Sequence, residues 1–166
     1  QWVCYTIFGY QAHKKSVDYL NFFLVKCTNI LGTTYRFTNV EKIPENTPLI
    51  FVANHQSMYD IIGMIWFLRK FHPKFVSKKE LGSGIPSVSY NLRNGGSVLI
   101  DRKDPKQAIP AIKGLSEYIE KNVRTAVIFP EGTRSKTGKP KEFAQSGLKI
   151  LCKYAPSAFV VPISIN

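Results

Sequence analysis

The chain has 166 residues, enough for one domain with a sizeable core and too few for two of ordinary size. Twenty-three Lys and Arg against eleven Asp and Glu give a formal charge of +12. That excess suits a polyanion: nucleic acid, an anionic membrane surface, or a phosphate-bearing substrate with an acidic carrier. No helix-turn-helix, zinc-finger or RNP pattern accompanies the charge, so nucleic acid is set aside in favour of a membrane surface.

The opening segment, Trp2 to Phe8, is compatible with the tail of a removed membrane anchor, but seven residues do not decide it. The most apolar window follows, Val17 to Leu31, but Asp18, Asn21, Lys26 and Asn29 interrupt it. It falls short of the roughly 18–20 continuous apolar residues that span a bilayer. Lys14, Lys15 and Lys26 beside aromatic residues predict an amphipathic helix over 14–31, either lying in a membrane interface or packed on the domain. A strand is expected over 33–39, a second over 49–53, a helix over 58–69, and a strand over 74–77. A short helical stretch at 86–94, a strand at 97–101 and a helix at 106–121 follow, with Pro110 marking that helix's first turn near Ile109. A strand at 125–129, a loop at 136–140 set by Gly138 and Pro140, a helix at 142–154 and a strand at 158–165 complete the order.

Strands and helices alternating at short spacing predict an α/β fold: a single domain with a largely parallel central sheet flanked by helices, preceded by the N-terminal amphipathic helix. Residues 1–32 are read as a membrane-proximal region and 33–166 as the domain proper. Starting at Gln1 and ending on an apolar strand, the chain reads as a piece of a longer protein, truncated at its C-terminal side. Cys4, Cys27 and Cys152 are odd in number and lack metal-ligand spacing. The apolar helical surroundings of Cys27 and Cys152 predict reduced, buried thiols, consistent with a cytosolic setting.

The richest stretch is Asn54-His55-Gln56-Ser57-Met58-Tyr59-Asp60, just after the strand at 49–53. Histidine titrates near neutrality, and a carboxylate holding one ring nitrogen makes the other a better proton acceptor. Within one helix, five residues separate two side chains by about 140°. His55 and Asp60 therefore meet only if His55 lies in the loop and Asp60 in the first helical turn. Ser57-x-x-Asp60 is also a helix-start signature, with Ser57 as N-cap, so capping and catalysis both account for Asp60. Two more strands end in polar groups: Asp101-Arg102 after 97–101, and Glu131-Gly132-Thr133-Arg134 after 125–129. An exposed ion pair and a tight turn explain each separately. All three clusters fall at carboxyl ends of strands, where open α/β sheets bind ligands.

Asn-His-x4-Asp, Gly96-x-x-x-Ile100-Asp101-Arg102, Phe129-Pro-Glu-Gly-Thr-Arg-Ser135 and Val161-Pro162-Ile163 resemble, in order, the four sequence blocks of the glycerolipid acyltransferases. The resemblance runs from about Leu31 to Asn166 and is nearest the 1-acyl-sn-glycerol-3-phosphate branch. Leu99 departs from the pattern, which more often has Phe there. The resemblance implies transfer of a fatty acyl group from a thioester to the 2-hydroxyl of lysophosphatidic acid. His55 is then the general base, Asp60 its orienting carboxylate, and Ser57 no nucleophile. Arg102, Glu131, Gly132, Thr133, Arg134 and one of Lys78 or Lys79 become the glycerophosphate-binding set, with Glu131 fixing an arginine or the loop, or touching the glycerol hydroxyl. The implied partners are lysophosphatidic acid, an acyl-coenzyme A or acyl carrier protein thioester as co-substrate, and the cytoplasmic face of an anionic membrane. No resident cofactor or metal is expected. The alternatives are acylation of another lysophospholipid or lyso-aminolipid, and a non-catalytic basic module that binds membranes.

Overall fold

The computed structural model describes residues 1–135 and 141–166; the loop expected at 136–140 lies outside them. Five strands form one all-parallel sheet: β1 (Leu49–Ala53), β2 (Pro73–Lys78), β3 (Val98–Ile100), β4 (Thr125–Ile128) and β5 (Phe159–Ile163), in the spatial order β3-β2-β4-β1-β5. The expected α/β fold with a parallel sheet is what the chain adopts.

Alternation along β1 divides the core into two layers. Ile50 points to the side where Ile112, Leu115 and Ile119 of α4 (Pro105–Asn122) and Leu151 of α5 (Gln145–Tyr154) pack. Leu49, Phe51 and Ala53 point to the other side, against Met64 of α2 (Tyr59–Phe67), Leu68, Phe71 and Phe75. β1 and β4 read as near-continuous apolar runs because both faces are covered, as a parallel sheet requires. A short helix, α3 (Val88–Asn94), leads into β3.

Four local expectations change. Residues 33–39 form no strand, although Thr33, Tyr35 and Phe37 are half-buried and their neighbours exposed. The alternation reflects one-sided packing: Tyr35 and Phe37 lie against Phe67, at ring-centroid distances of 5.9 and 4.9 Å, with no backbone partner strand. Gly63 permits this approach, since a Cβ there would sit 2.8 Å from the Tyr35 ring. Next, the helix at the start begins earlier than 14: α1 (Trp2–Ile30) carries a break at Gly9, whose φ of 74° glycine adopts freely. Its buried face runs His13, Val17, Asn21, Val25 and Thr28, and it packs against α2. Cys27 falls off that face, and Cys152 lies about 100° round from buried Leu151; both thiols are free but exposed rather than buried. Finally, α4 starts at Pro105, not near Ile109. Asp104 accepts from the Lys106 and Gln107 amides as its N-cap, and Pro110 sits inside the helix on its exposed side.

No helix among the described residues is long and apolar enough to cross a membrane. The underside of α1 covers a polar group at the amino ends of β2 and β4. Lys74 Nζ donates to Tyr10 Oη at 2.9 Å, and Tyr10 Oη lies 3.1 Å from His72 Nδ1. Burial, then the charges of Arg124 and Lys14, draws the Lys74 pKa down to about 7, with Asp18 acting the other way. Burial likewise lowers His72 to about 4, and it pushes the Tyr10 hydroxyl up to about 12.

Both bases recover ordinary values on unfolding, near 6.5 for His and 10.4 for Lys. From about pH 4 to 6.5 the unfolded chain binds a proton on His72 that the folded chain lacks. From about pH 7 upward the same holds for Lys74. Their contribution to stability therefore rises with pH through both windows. Urea unfolding across pH 5–9 is expected to show that rise, and Lys74→Met to flatten the part above pH 7.

Candidate active site

β1 ends at Ala53, and the chain turns at once into α2. Asp60, in the first turn of α2, closes that connection: its Oδ2 accepts from the Gln56 and Ser57 amides at 2.8 Å each and lies 2.9 Å from His55 Nδ1. Both side chains are largely shielded, at 16% exposure for His55 and 6% for Asp60. An oxygen that already accepts two amide protons also accepts from the imidazole, so Nδ1 is the protonated nitrogen and Nε2 presents its lone pair. Helix starting and imidazole holding thus coexist in Asp60. Met58 takes the N-cap position with no side-chain bond, and Ser57 Oγ accepts from the Tyr59 amide at 3.2 Å.

Phe129 stacks on the His55 ring at 4.2 Å between centroids and 23° between planes. It follows β4 because the β1–β4 register pairs Val52 with Ile128, bringing the two strand exits side by side. The chain then turns, with the Gly132 amide donating to the Phe129 carbonyl at 3.0 Å and Gly132 at φ 70°. Glu131 is buried inside this turn. Its Oε1 accepts from the His55 amide at 2.8 Å and its Oε2 from the Lys141 amide at 2.9 Å. The Ser135 amide donates to the His55 carbonyl at 2.8 Å. Asn54 ties the same corner to the chain after β5, donating to the Ile165 carbonyl and accepting from its amide, both at 2.7 Å.

The basic groups lie on segments that leave the same end of the sheet. Thr133 and Arg134 are exposed on the post-β4 loop. Arg102, at the end of β3, reaches over β2 so that its Nη1 lies 3.9 Å from where a Gly132 Cβ would sit. Crowding by protein lowers its pKa from the ordinary value, with Glu80 opposing. Lys78 and Lys79 are exposed at the end of β2, and Lys78 pairs with Glu80 at 3.0 Å. A backbone hydrogen bond, then Lys78, holds the Glu80 carboxyl below its usual range. Strand order explains the gathering: β4 lies between β1 and β2, so its exit loop sits between His55 and the basic ends of β2 and β3.

His55, Asp60, Glu131, Gly132 and Arg102 therefore come together at one end of the sheet. Glu131 serves as a brace between two loops, joining the His55 segment to the start of residues 141–144. Phe129, Asn54 and Glu80 are the participants that the motifs alone did not give roles. Among the described residues, no group of three or more His, Cys, Asp or Glu side chains is placed to hold a metal ion.

Glu131→Gln turns one of the two amide donors toward an NH2 group. It is expected to cost about 1–3 kcal/mol in urea unfolding. A change near zero would show that the brace does not hold the loops.

Known proteins resemble this chain in sequence and in fold. The chain is 39% identical over 120 residues to the 1-acyl-sn-glycerol-3-phosphate acyltransferase of Helicobacter pylori, covering 69% of this chain and 48% of that one. It is 32% identical over 127 residues to a chloroplastic 1-acyl-sn-glycerol-3-phosphate acyltransferase of Arabidopsis thaliana, covering 76% and 34%. The solved structure of PlsC, the 1-acyl-sn-glycerophosphate acyltransferase of Thermotoga maritima, superimposes with a TM-score of 0.66 at 29% identity, over 87% of this chain and 56% of that one. The chain thus spans about half the length, or less, of these relatives. The family model described as Acyltransferase matches residues 34–166, and the chain belongs to that family.

Proposed function

We propose that the protein containing this chain acylates the 2-hydroxyl of lysophosphatidic acid from an acyl thioester, giving phosphatidic acid. The observation that carries this reading is the His55–Asp60 pair at 2.9 Å, at the end of the sheet where the segments bearing Arg102, Arg134 and Lys79 also leave their strands. The names of the relatives supply the acceptor.

In the reaction His55 Nε2 takes the proton of the 2-hydroxyl as its oxygen attacks the thioester carbon. Asp60 holds the ring by Nδ1–H and stabilises the imidazolium that forms. The tetrahedral oxyanion collapses, the carbon–sulfur bond breaks, and His55 returns the proton to the thiolate. The products are the new ester and a free thiol. Phe129 restricts ring rotation, so the imidazole is oriented before the substrate arrives. No acyl-enzyme and no resident cofactor enter this scheme; coenzyme A or an acidic carrier protein brings the acyl group. Arg134 and Arg102 supply planar cations for the phosphate, and the Gly132 turn lets it approach backbone amides.

The membrane side of the proposal rests on α1. Trp2, Phe8, Tyr19 and Phe23 are 62–69% exposed, with exposed Lys15 and Lys26 on the same helix. That is the composition of a helix lying in the headgroup layer, which would hold the protein peripherally on the cytoplasmic face.

The test is thiol release by the full-length protein from acyl-coenzyme A and acyl carrier protein thioesters, with and without lysophosphatidic acid. Release that requires the acceptor supports the proposal, and no release with either donor refutes it. His55→Ala is expected to lower turnover by about 10²–10⁴ with vesicle binding intact. Arg134→Ala is expected to raise KM for lysophosphatidic acid more than it lowers kcat, since a phosphate contact is made in ground and transition states alike.

A further inference from the structure

At the opposite end of the sheet from His55, α1 closes over a cavity of about 30 Å³. Its titratable lining is Tyr10, His13, Lys14 and Asp18 of α1, with His72 and Lys74 at the start of β2. Arg124, just before β4, adds its charge and lies over the Tyr10 ring at 5.6 Å.

The donors into this space outnumber the acceptors. Lys74 is 6% exposed and spends one N–H on Tyr10, leaving two when it is protonated. The Tyr10 hydroxyl faces His72 Nδ1, which ends that chain on a neutral imidazole. His13 is 1% exposed, and its Nε2 has no hydrogen-bond partner among the described residues. Ser97 also lines the cavity; its Oγ accepts from the Phe75 amide, so its own hydrogen remains to be given. Asp18 is the lone carboxylate here, and Lys14 holds it. With Lys74 protonated, Lys14, Lys74 and Arg124 against Asp18 leave two positive charges in excess.

A buried cation without a counter-ion is costly unless it loses its proton or gains a partner. We propose that this cavity binds one compact monovalent anion of the halide class, held by Lys74 Nζ and His13 Nε2, and that the anion fastens α1 to the domain. The volume fits the choice. A water needs about 10–15 Å³ on the same measure, so the space takes two or three water-sized spheres, room for one halide ion. His13 sits beyond the Gly9 break, between the rings of Tyr5 and Tyr90 at 5.4 and 5.7 Å, so an ion bound there touches both arms of α1 through one side chain.

Thermal unfolding of the full-length protein near pH 6, with chloride or bromide replacing gluconate at fixed ionic strength, tests the proposal. A saturable rise of a few degrees in Tm is expected for wild type and none for Lys74→Met. Equal Tm in chloride and gluconate would overturn it, as would a halide-dependent rise surviving in Lys74→Met. Should that variant fail to fold, crystals of wild type in bromide decide by anomalous scattering. A peak between Lys74 and His13 supports the site, and an empty cavity overturns it.

Discussion

Three donors converge on one oxygen, Asp60 Oδ2, and the geometry of the whole corner follows from that convergence. The Gln56 and Ser57 amides fold the chain back over the first turn of α2, and the same oxygen fixes His55 Nδ1. One carboxylate therefore closes a tight strand-to-helix connection and sets the tautomer of His55. The backbone of His55 is held from the other side, its amide by Glu131 and its carbonyl by the Ser135 amide. Stacking on Phe129 then leaves the ring little freedom. Such bracing is what a general base requires, because misplacement by an ångström is paid in rate.

The sheet delivers these pieces. Parallel strands bring all their exits to one end, and the order β3-β2-β4-β1-β5 puts the β4 exit centrally. Glu131, buried and bonded to the His55 and Lys141 amides, uses its charge for architecture. The basic excess of the chain is thus divided. Part of it stands at the His55 end of the sheet, and part lies under α1, where Lys74 and Arg124 stand beside a single carboxylate.

Most of the sheet was legible in the sequence because apolar runs such as Leu49–Ala53 and Thr125–Ile128, bounded by polar loops, have one simple reading in an α/β chain. Residues 33–39 misled because period-two burial is shared by strands and by extended chain packed on a helix; only a partner backbone distinguishes them. In α4, the Pro105 and Asp104 signals outweigh Pro110, whose missing amide falls on the exposed side. The pairing of His55 with Asp60 was readable from the loop-and-first-turn argument. Phe129 over His55, Glu131 on the His55 amide and Asn54 on Ile165 were not, since each joins residues more than seventy positions apart and depends on strand order.

The most direct test of this account is the protonation of the His55 ring, read from its 15N chemical shifts in selectively labelled protein on the alkaline side of its titration. The account predicts a protonated Nδ1 and a bare Nε2, the state in which the base faces the acceptor hydroxyl. A bare Nδ1 with the proton on Nε2 would contradict it, because Asp60 would then hold no imidazole hydrogen and the base would point away from its substrate.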